Sequence, residues 1–374
     1  MDLLVMFSGK EVGRLRYGSG VAYFAYSREW IKDGFSISPR SLPLEDRLFK
    51  GRTNYFEGLP GVFADSLPGG WGRYAAMKAF RMRGIDYQSM NPLKKLSYLG
   101  KDSTGALYYE PTACDWEPLP LDDLDGMCMQ CISMMEDEAA NIDDIFRRAG
   151  STGGARPKMN AVIDGEEWIV KFRERHDARS IGRMEFEYNA AARRCGIDVL
   201  DCRLLHSDIC DGYFASKRFD RRNGKRIHML SLAGLLETPT DIPMLDYVSF
   251  LQATRFITHS QEEVMKAFRL SCFNVLAKNY DDHPGNFSFL YLPEEERYVL
   301  SPAYDLTRTP YMTEHHMTCV GNPLPNEKDL IALASVMKIP KRQAEDTISQ
   351  VRRVIAEDLS EWLRSSASPD LRWG

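Results

Sequence analysis

Short alternating and apolar runs at the start of the chain predict a β-rich region. Leu3-Leu4-Val5-Met6-Phe7 has the composition of a strand, and the polar Ser8-Gly9-Lys10 that follows predicts a turn. We expect mainly strands and turns, with one or two helices, over residues 1–112. The stretch 111–125 is rich in proline and acidic residues, a composition typical of a domain boundary.

A hairpin is the strongest local signal in the middle of the chain, after a helical pattern at 127–148. Ala161-Val162-Ile163 and Trp168-Ile169-Val170-Lys171-Phe172 flank Asp164-Gly165, and both turn residues tolerate positive φ. Side chains alternate along a strand, so Lys171 is predicted on the face opposite Val170. Lys171 therefore stands at the end of a strand.

Helical patterns follow the hairpin and dominate the rest of the chain. A helix is predicted at 183–195, with Gly196 ending it. Ser260 and Glu263 predict a capping box at the start of a later helix, and the last helix is predicted at 341–365.

Together these patterns predict an α+β chain in three units. A small β-rich N-terminal subdomain spans 1–112, a β-rich lobe spans 113–230 and a helical lobe spans 231–374. The length of 374 residues agrees with two or three packing units and a large core.

Charge and hydropathy argue against several classes of protein. The 48 Lys and Arg against 53 Asp and Glu give a formal net charge of -5, which disfavours coating of nucleic acid through bulk charge. The first apolar run is too short for a signal peptide, and we find no run of about 18 apolar residues. We therefore expect a cytoplasmic protein without membrane contact.

The eight cysteines are dispersed along the chain, as expected for reduced thiols. Cys128 and Cys131 form the one suggestive pair, but no second pair follows at zinc-site spacing. The pair lies in an apolar stretch of helical character, so helix packing is its predicted role.

The segment Asn279-Tyr280-Asp281-Asp282-His283-Pro284-Gly285-Asn286 carries the sharpest chemical signal. Asp281 and Asn286 are five residues apart, as are the base aspartate and the metal-binding asparagine of the protein-kinase catalytic loop. Asp305 follows a turn and a short strand, where a kinase places its second metal ligand. The alternative is a turn-rich loop in which Asn286 and Asp305 only cap neighbouring structure.

Lys171 and Glu185 extend this pattern upstream. A strand-end lysine can contact the α- and β-phosphates of ATP, and a glutamate in the following helix can hold the lysine as an ion pair. Glu187 is a second candidate partner, and charges of this kind are also common on solvated surfaces. We predict Asp281, Lys171 and Glu185 as the catalytic residues.

A glycine-rich loop, Gly150-Ser151-Thr152-Gly153-Gly154-Ala155-Arg156-Pro157-Lys158, precedes the hairpin. Its glycines would let backbone N–H groups approach phosphate oxygens, and Arg156 or Lys158 would add positive charge. The loop matches neither the Walker A pattern nor GxGxxG, so a flexible connector is an equal alternative.

The order of these motifs resembles the HipA family of bacterial toxin kinases, over residues 3 to about 310. The quoted segments are Val12-Gly13-Arg14-Leu15, Phe63-Ala64-Asp65-Ser66-Leu67-Pro68, Gly100-Lys101-Asp102-Ser103-Thr104-Gly105-Ala106-Leu107, Ser151 to Lys158, Trp168 to Phe172, Lys217-Arg218-Phe219-Asp220-Arg221, Asp281 to Phe287 and Tyr304-Asp305.

The resemblance implies a two-lobed protein-kinase-like fold behind a small β-rich subdomain, with ATP between the lobes. It implies Asp281 as the proton acceptor, Asn286 and Asp305 as Mg²⁺ ligands, and Lys171 as a phosphate-binding residue. Ser151 falls on the serine that such kinases autophosphorylate, and a phosphate there would oppose binding of anionic ATP. The other implied nucleotide contacts are Gly153, Gly154, Ala155, Arg156, Pro157, Lys158, Lys217, Arg218, Phe219, His283 and Tyr304, with Asn286.

Two departures from the family pattern matter. Gly285 stands where many relatives carry lysine, and the chain beyond Pro310 matches poorly. A helix-turn-helix antitoxin partner, and DNA contact only through that partner, are inferences from the family.

The predicted function is an ATP- and Mg²⁺-dependent serine/threonine protein kinase that phosphorylates a cellular protein and restrains growth. One alternative is a phosphotransferase acting on a small-molecule hydroxyl, and another is an ATP-sensing scaffold acting through a transcription-factor partner. Ser151 favours the protein kinase. The presence of Asp281, Asn286, Asp305 and Lys171 together argues against a scaffold.

Overall fold

The computed structural model describes residues 1–52, 55–100, 103–114 and 119–364. The first part contains β1 (Asp2–Phe7), β2 (Lys10–Gly18), β3 (Val21–Tyr26), α1 (Arg28–Asp33), β4 (Phe49–Lys50), α2 (Gly61–Ala64), α3 (Gly70–Met82), α4 (Pro92–Ser97) and β5 (Leu107–Glu110). Its strands form an antiparallel sheet in the order β4-β3-β2-β1-β5. β1 confirms the strand predicted at Leu3 to Phe7, and alternation buries Leu3 and Val5 on one of its faces.

The second part contains α5 (Leu124–Met135), α6 (Ile142–Ala149), β6 (Lys158–Ile163), β7 (Glu166–Lys171), α7 (Ile181–Arg194), β8 (Cys202–Leu205), β9 (Tyr213–Lys217), β10 (Arg221–Arg222) and β11 (Lys225–Arg226). Its four-stranded sheet has the order β6-β7-β9-β8. The predicted hairpin is confirmed, with Asp164 and Gly165 at φ values of 53° and 77°. The predicted helix at 127–148 is instead two helices, since the chain turns at Asp137, whose φ is positive.

The last part contains β12 (His228–Ser231), α8 (Leu232–Leu236), α9 (Tyr247–Thr258), α10 (Gln261–Leu276), β13 (Ser288–Leu292), β14 (Arg297–Leu300), α11 (Glu327–Val336), α12 (Lys341–Asp358) and α13 (Ser360–Arg364). Helices therefore dominate, and β12, β13 and β14 form a small antiparallel sheet. The predicted helix at 341–365 divides at Leu359, and Ser365 with the tail beyond it lies outside the described residues.

The predicted capping box at Ser260 is only half present. The Ser260 hydroxyl accepts a hydrogen bond from the Glu263 main chain, at 3.3 Å. The Glu263 carboxylate instead accepts from Leu300 N at 2.8 Å and from Lys266 Nζ at 2.7 Å. The reciprocal half of the capping-box prediction is wrong because a tertiary contact with β14 takes up this side chain.

Two hydrophobic cores run through the described residues. One joins the N-terminal sheet to α7, α9, α10 and α12. The other joins α3 to the sheet of the second part, where Trp71 and Phe80 share a cluster with Trp168 and Phe172. The predicted boundaries at 112 and 230 stay predictions, since neither core is confined between them.

A loop of the first part, Ser103–Leu107, docks onto arginines that follow β9, and we call it the latch loop. Arg226 donates to the carbonyl oxygens of Ser103 at 2.8 Å, Gly105 at 2.9 Å and Leu107 at 3.1 Å. Asp220, buried against Arg218 and Arg221, accepts from Gly105 N at 2.7 Å. Charge-assisted bonds in this buried setting hold the latch loop firmly. Lys101 and Asp102 of the quoted motif lie outside the described residues.

Candidate active site

The loop between α10 and β13 carries Asp281 and Asn286. The Asn286 amide nitrogen donates to the Asp281 carbonyl oxygen at 2.8 Å. His283 Nδ1 accepts from Gly285 N at 3.1 Å, and a short 3₁₀ turn spans Pro284–Asn286. These local bonds fix the five-residue segment, and the Asn286 amide oxygen is then the atom that can bind a cation.

Lys171 forms the centre of the charged site. Its ammonium lies 2.5 Å from Glu185 Oε1 and is also paired with Asp305 Oδ1. All three side chains are largely buried. Glu187 instead accepts a hydrogen bond from Trp362 Nε1 at 2.5 Å. The structure therefore brings the predicted Glu185 to Lys171.

A second lysine, Lys158, joins this cluster from the neighbouring strand. It lies directly opposite Lys171 in the β6–β7 register. Its ammonium is close to Gly154, where a Cβ atom would lie 2.5 Å from Lys158 Nζ and 3.9 Å from Asp305 Oδ2. Gly154 has a φ of 73°, so a side chain there would be strained as well as crowded. The loop backbone thus comes close to the Lys158 ammonium, an arrangement suited to phosphate.

The charges of Lys171 and Asp305 keep each other ionised. Burial alone would raise the pKa of Asp305, but Lys171 and Lys158 outweigh it and hold that pKa well below its ordinary value. Burial would lower the pKa of Lys171, but Asp305 and Glu185 raise it above its ordinary value. Burial prevails at Lys158, whose pKa is lowered. Asp305 also has a φ of 53°, and left-handed backbone at a non-glycine residue is concentrated at functional sites.

The glycine-rich loop packs backbone to backbone on the start of α3. Trp71 N donates to Gly154 O at 2.7 Å. A Cβ atom on Gly70 would lie 2.4 Å from that carbonyl oxygen, and one on Gly69 would lie 2.9 Å from Gly153 Cα. At the C-terminal end of the loop, Pro157 O accepts from Phe172 N at 2.8 Å. The loop is held at its middle and at its C-terminal end, contrary to a free connector.

Ser151 is buried beneath the latch loop. Its hydroxyl accepts from Thr104 N at 2.6 Å and lies 2.8 Å from Thr104 Oγ1. Only 5% of Ser151 is exposed. The Ser151 oxygen can therefore accept a phosphoryl group only after this segment moves.

Other predicted nucleotide contacts hold neighbouring parts of the protein together. Lys217 pairs with Glu166, and the buried Arg218 pairs with Asp220, so the side chains of both lie in structural ion pairs. Arg156 contacts Asp177 at 3.1 Å. The main-chain N–H groups of Lys217 and Arg218 are also bonded, to Asp201 O at 2.8 Å and to Glu167 O at 2.9 Å.

Phe219 and Tyr304 meet where the two lobes join, with ring centroids 5.3 Å apart. The Tyr304 hydroxyl donates to Gly285 O at 2.7 Å and lies 2.6 Å from Ser288 Oγ. These aromatic rings connect Phe219, a predicted nucleotide contact, to the catalytic loop.

Gly285 has little room for a side chain. A Cβ atom there would lie 2.9 Å from His283 Cε1 and 3.2 Å from Thr240 Cγ2. A lysine at this position would therefore require His283 and Thr240 to move, so the departure at Gly285 matches its surroundings in this chain.

The sequence reasoning missed the role of Asp282. Its buried carboxylate accepts hydrogen bonds from Tyr247 and His315, whereas the described hydrogen bonds of Asp281 involve only its carbonyl oxygen. Two adjacent aspartates signal that one of them could be structural, but only the fold shows which.

Cys128 and Cys131 confirm the prediction of helix packing. Both lie in α5, are free and are fully buried. Burial raises the pKa of each thiol. Within the described residues, no group of three or more His, Cys, Asp or Glu side chains could hold a metal ion. No helix within the same residues is long and apolar enough to cross a membrane.

Comparisons with known proteins agree with this architecture. Residues 150–359 match the model of the HipA-like C-terminal domain, and residues 3–110 match that of the HipA N-terminal domain. No curated protein matches the sequence. The fold is a two-lobed, protein-kinase-like fold preceded by a β-rich subdomain. The chain belongs to the HipA family.

A solved structure from Shewanella oneidensis MR-1, described as toxin–antitoxin system HipA, HipB and its operator DNA complex, has the same fold. It is 20% identical, the alignment covers 96% of this chain and 90% of that chain, and the TM-score is 0.72. A proinflammatory kinase of Helicobacter pylori, CtkA, is 14% identical over 54% of this chain and 90% of that chain, with a TM-score of 0.38. The second likeness is too weak to carry an argument.

Proposed function

We propose that this chain is an ATP- and Mg²⁺-dependent serine/threonine protein kinase. The observation that carries the proposal is the convergence of Lys171, Glu185 and Asp305 in one buried cluster, next to the glycine-rich loop. Phosphoryl transfer depends mainly on positioning and on stabilisation of phosphate charge, and this cluster offers both.

Asn286 and Asp305 fit a Mg²⁺ ion. Asp305 stays ionised because Lys171 and Lys158 lower its pKa, and the amide nitrogen of Asn286 is already bonded to Asp281 O. Mg²⁺ commonly takes only one or two protein carboxylates and completes its shell with phosphate and water. When bound, the ion would neutralise charge on the transferred phosphate.

The residues of the chain have separate tasks in the proposed reaction. Lys171 donates to phosphate oxygens, and Glu185 keeps the ammonium in place. As the acceptor hydroxyl oxygen bonds to the γ-phosphorus and the bond to the β-phosphate oxygen breaks, ADP leaves and Asp281 takes the hydroxyl proton. Self-modification at Ser151 would place a dianion beside the glycine-rich loop and switch the enzyme off.

The partner proposal rests on the family and on the Shewanella complex. We infer a helix-turn-helix antitoxin partner, with DNA contact through that partner. Co-expression with the candidate antitoxin, followed by size-exclusion chromatography, tests the pairing.

Intact-mass measurement after incubation with ATP and Mg²⁺ tests the kinase proposal. We expect one added phosphate at Ser151, located by fragmentation, and none in Asp281→Asn or after addition of EDTA. A screen of Ser and Thr peptides against small-molecule alcohols then tests the acceptor class. An initially unmodified protein that binds ATP and transfers nothing to itself, peptide or alcohol would contradict the proposal.

A further inference from the structure

Asp282, next to the proposed base, is a hydrogen-bonding centre for three segments of the chain. The residue is 1% exposed. Its Oδ2 atom accepts from the Tyr247 hydroxyl at 2.5 Å and lies 2.7 Å from His315 Nδ1. Its Oδ1 atom accepts from the main-chain N–H groups of His316 at 2.8 Å and Met317 at 3.2 Å. Four donors therefore converge on one carboxylate.

These donors come from elements on both sides of the catalytic loop. Tyr247 is the first residue of α9, and the donors at 315–317 belong to the segment that follows Asp305. His316 N also donates to Tyr280 O at 2.9 Å, and the His315 ring packs edge-on against Tyr280 at 4.7 Å. The two residues that immediately flank Asp281 are thus both held by the same segment.

This arrangement limits where the Asp281 carboxylate can lie. Consecutive Cα atoms are about 3.8 Å apart, so a displacement of the Asp282 main chain carries Asp281 with it. A displacement of about 1 Å can cost roughly 100-fold in rate when the reacting groups must meet in one geometry. Lys171 and Gly154, which are proposed to contact ATP, belong to the other lobe, and none of these four bonds involves them.

We propose that Asp282, together with Tyr247 and His315, is the positioning group for Asp281. The inference rests on the proposed kinase function, and it assigns a role to an aspartate that does not touch the reacting atoms. A carboxylate is required because all four neighbours donate and an ionised carboxylate only accepts.

Asp282→Asn is the direct test, since the amide nitrogen places a donor against donors with little change in shape. We expect kcat for phosphoryl transfer to fall about 100-fold, while KM for ATP stays within about 3-fold. Tyr247→Phe keeps three of the four donors and should give an intermediate fall in kcat. Asp125→Asn is the matched control. The Asp125 carboxylate also gathers several donors, from Ser207, Asp208 and Tyr213, but it makes no described contact with the catalytic loop or with residues 315–317, so wild-type kcat is expected.

Nucleotide binding separates positioning from general damage to the fold. Calorimetric titration with ADP gives the fraction of molecules that bind, and kcat is then expressed per binding site. A purely structural role would reduce the binding fraction and leave kcat per site unchanged, which would overturn the positioning role. Equal activity of Asp282→Asn and wild type would also overturn the positioning role. If wild type itself transfers no phosphate, the proposed function fails and the positioning role fails with it.

Discussion

Thr104 holds the hydroxyl of Ser151 through both its main-chain N–H, at 2.6 Å, and its own hydroxyl, at 2.8 Å. Thr104 belongs to the latch loop, which is fixed by arginines on the other side. The N-terminal part of the chain therefore holds the serine proposed for self-modification in a buried position.

Thr104→Val should speed phosphorylation of Ser151. It removes one hydrogen bond of roughly 1 kcal/mol and keeps the shape of the side chain, so the rate should rise by up to about 5-fold. Time-resolved intact mass measures this rate. Thr112→Val is the control. It removes a hydroxyl that donates to Cys114 O and has no described bond to Ser151, so the rate of Ser151 phosphorylation should match wild type. A slower or unchanged rate in Thr104→Val would show that Ser151 is not restrained in this way.

Glu185→Gln and Glu187→Gln form a matched pair on α7. Loss of the Glu185 charge leaves Lys171 paired with Asp305 alone, so we expect kcat/KM for ATP to fall about 100-fold. Glu187→Gln should stay near wild type, since Glu187 contacts Trp362. Steady-state kinetics at several ATP concentrations compares the two. Equal losses in both variants would contradict the assignment of Glu185.

Gly70→Ala should weaken ATP binding. The new methyl group would lie 2.4 Å from Gly154 O and 3.0 Å from Ala155 Cα, and backbone atoms cannot turn aside as a side chain can. The glycine-rich loop must shift, so KM for ATP should rise about 10-fold with a smaller change in kcat. Gly18→Ala, where nothing lies within 4 Å, is the control. Unaltered ATP binding in Gly70→Ala would mean that ATP binding does not depend on the contact between the glycine-rich loop and α3.

The acid stability of the protein should depend on His228 and Asp65 in opposite senses. Burial lowers the pKa of His228 to about 4, so its stabilising contribution is complete above pH 6.5 and is lost as pH falls through 4. Burial raises the pKa of Asp65 to about 6, so its contribution is complete below pH 3.8 and is lost as pH rises through 6. Each contribution amounts to about 3 kcal/mol, and over pH 4–6 the two largely cancel.

Two variants separate these contributions. Relative to its value at pH 7, the free energy of unfolding of His228→Gln should rise as pH falls to 4.5, because Asp65 then acts alone. The free energy of unfolding of Asp65→Asn should fall over the same decrease in pH, because His228 then acts alone. Urea unfolding at several pH values measures both slopes, and parallel slopes in the two variants would refute the assignment. Gln can still donate to Ile37 O, which accepts from His228 at 2.8 Å.

Local sequence patterns predicted those parts of the site that depend on nearby residues. The Asp164-Gly165 turn and the strand parity placed Lys171, and the five-residue spacing placed Asp281 and Asn286 on one loop. The partnership of Lys158 and Lys171 could also have been derived, because a two-residue turn fixes which residues lie opposite each other.

Long-range contacts could not be predicted in the same way. The choice between Glu185 and Glu187 depends on how α7 packs against the sheet, and helical periodicity alone leaves both open. The contacts of Ser151 with Thr104, and of Asp282 with Tyr247 and His315, join residues that are 33 or more positions apart in the sequence. The reciprocal half of the capping-box prediction, at Glu263, was wrong for the same reason.

The length of the Asp164-Gly165 turn determines the register of the two lysines at the far end of its hairpin. Each of the two lysines is the sixth residue from the turn along its strand, about 20 Å away at 3.3 Å per residue. A single residue inserted at this exposed tip would shift one strand by one position and reverse its faces, which would turn a lysine away from Asp305. The length of this surface turn is therefore constrained by the position that the two lysines must take, although the turn itself lies about 20 Å from them.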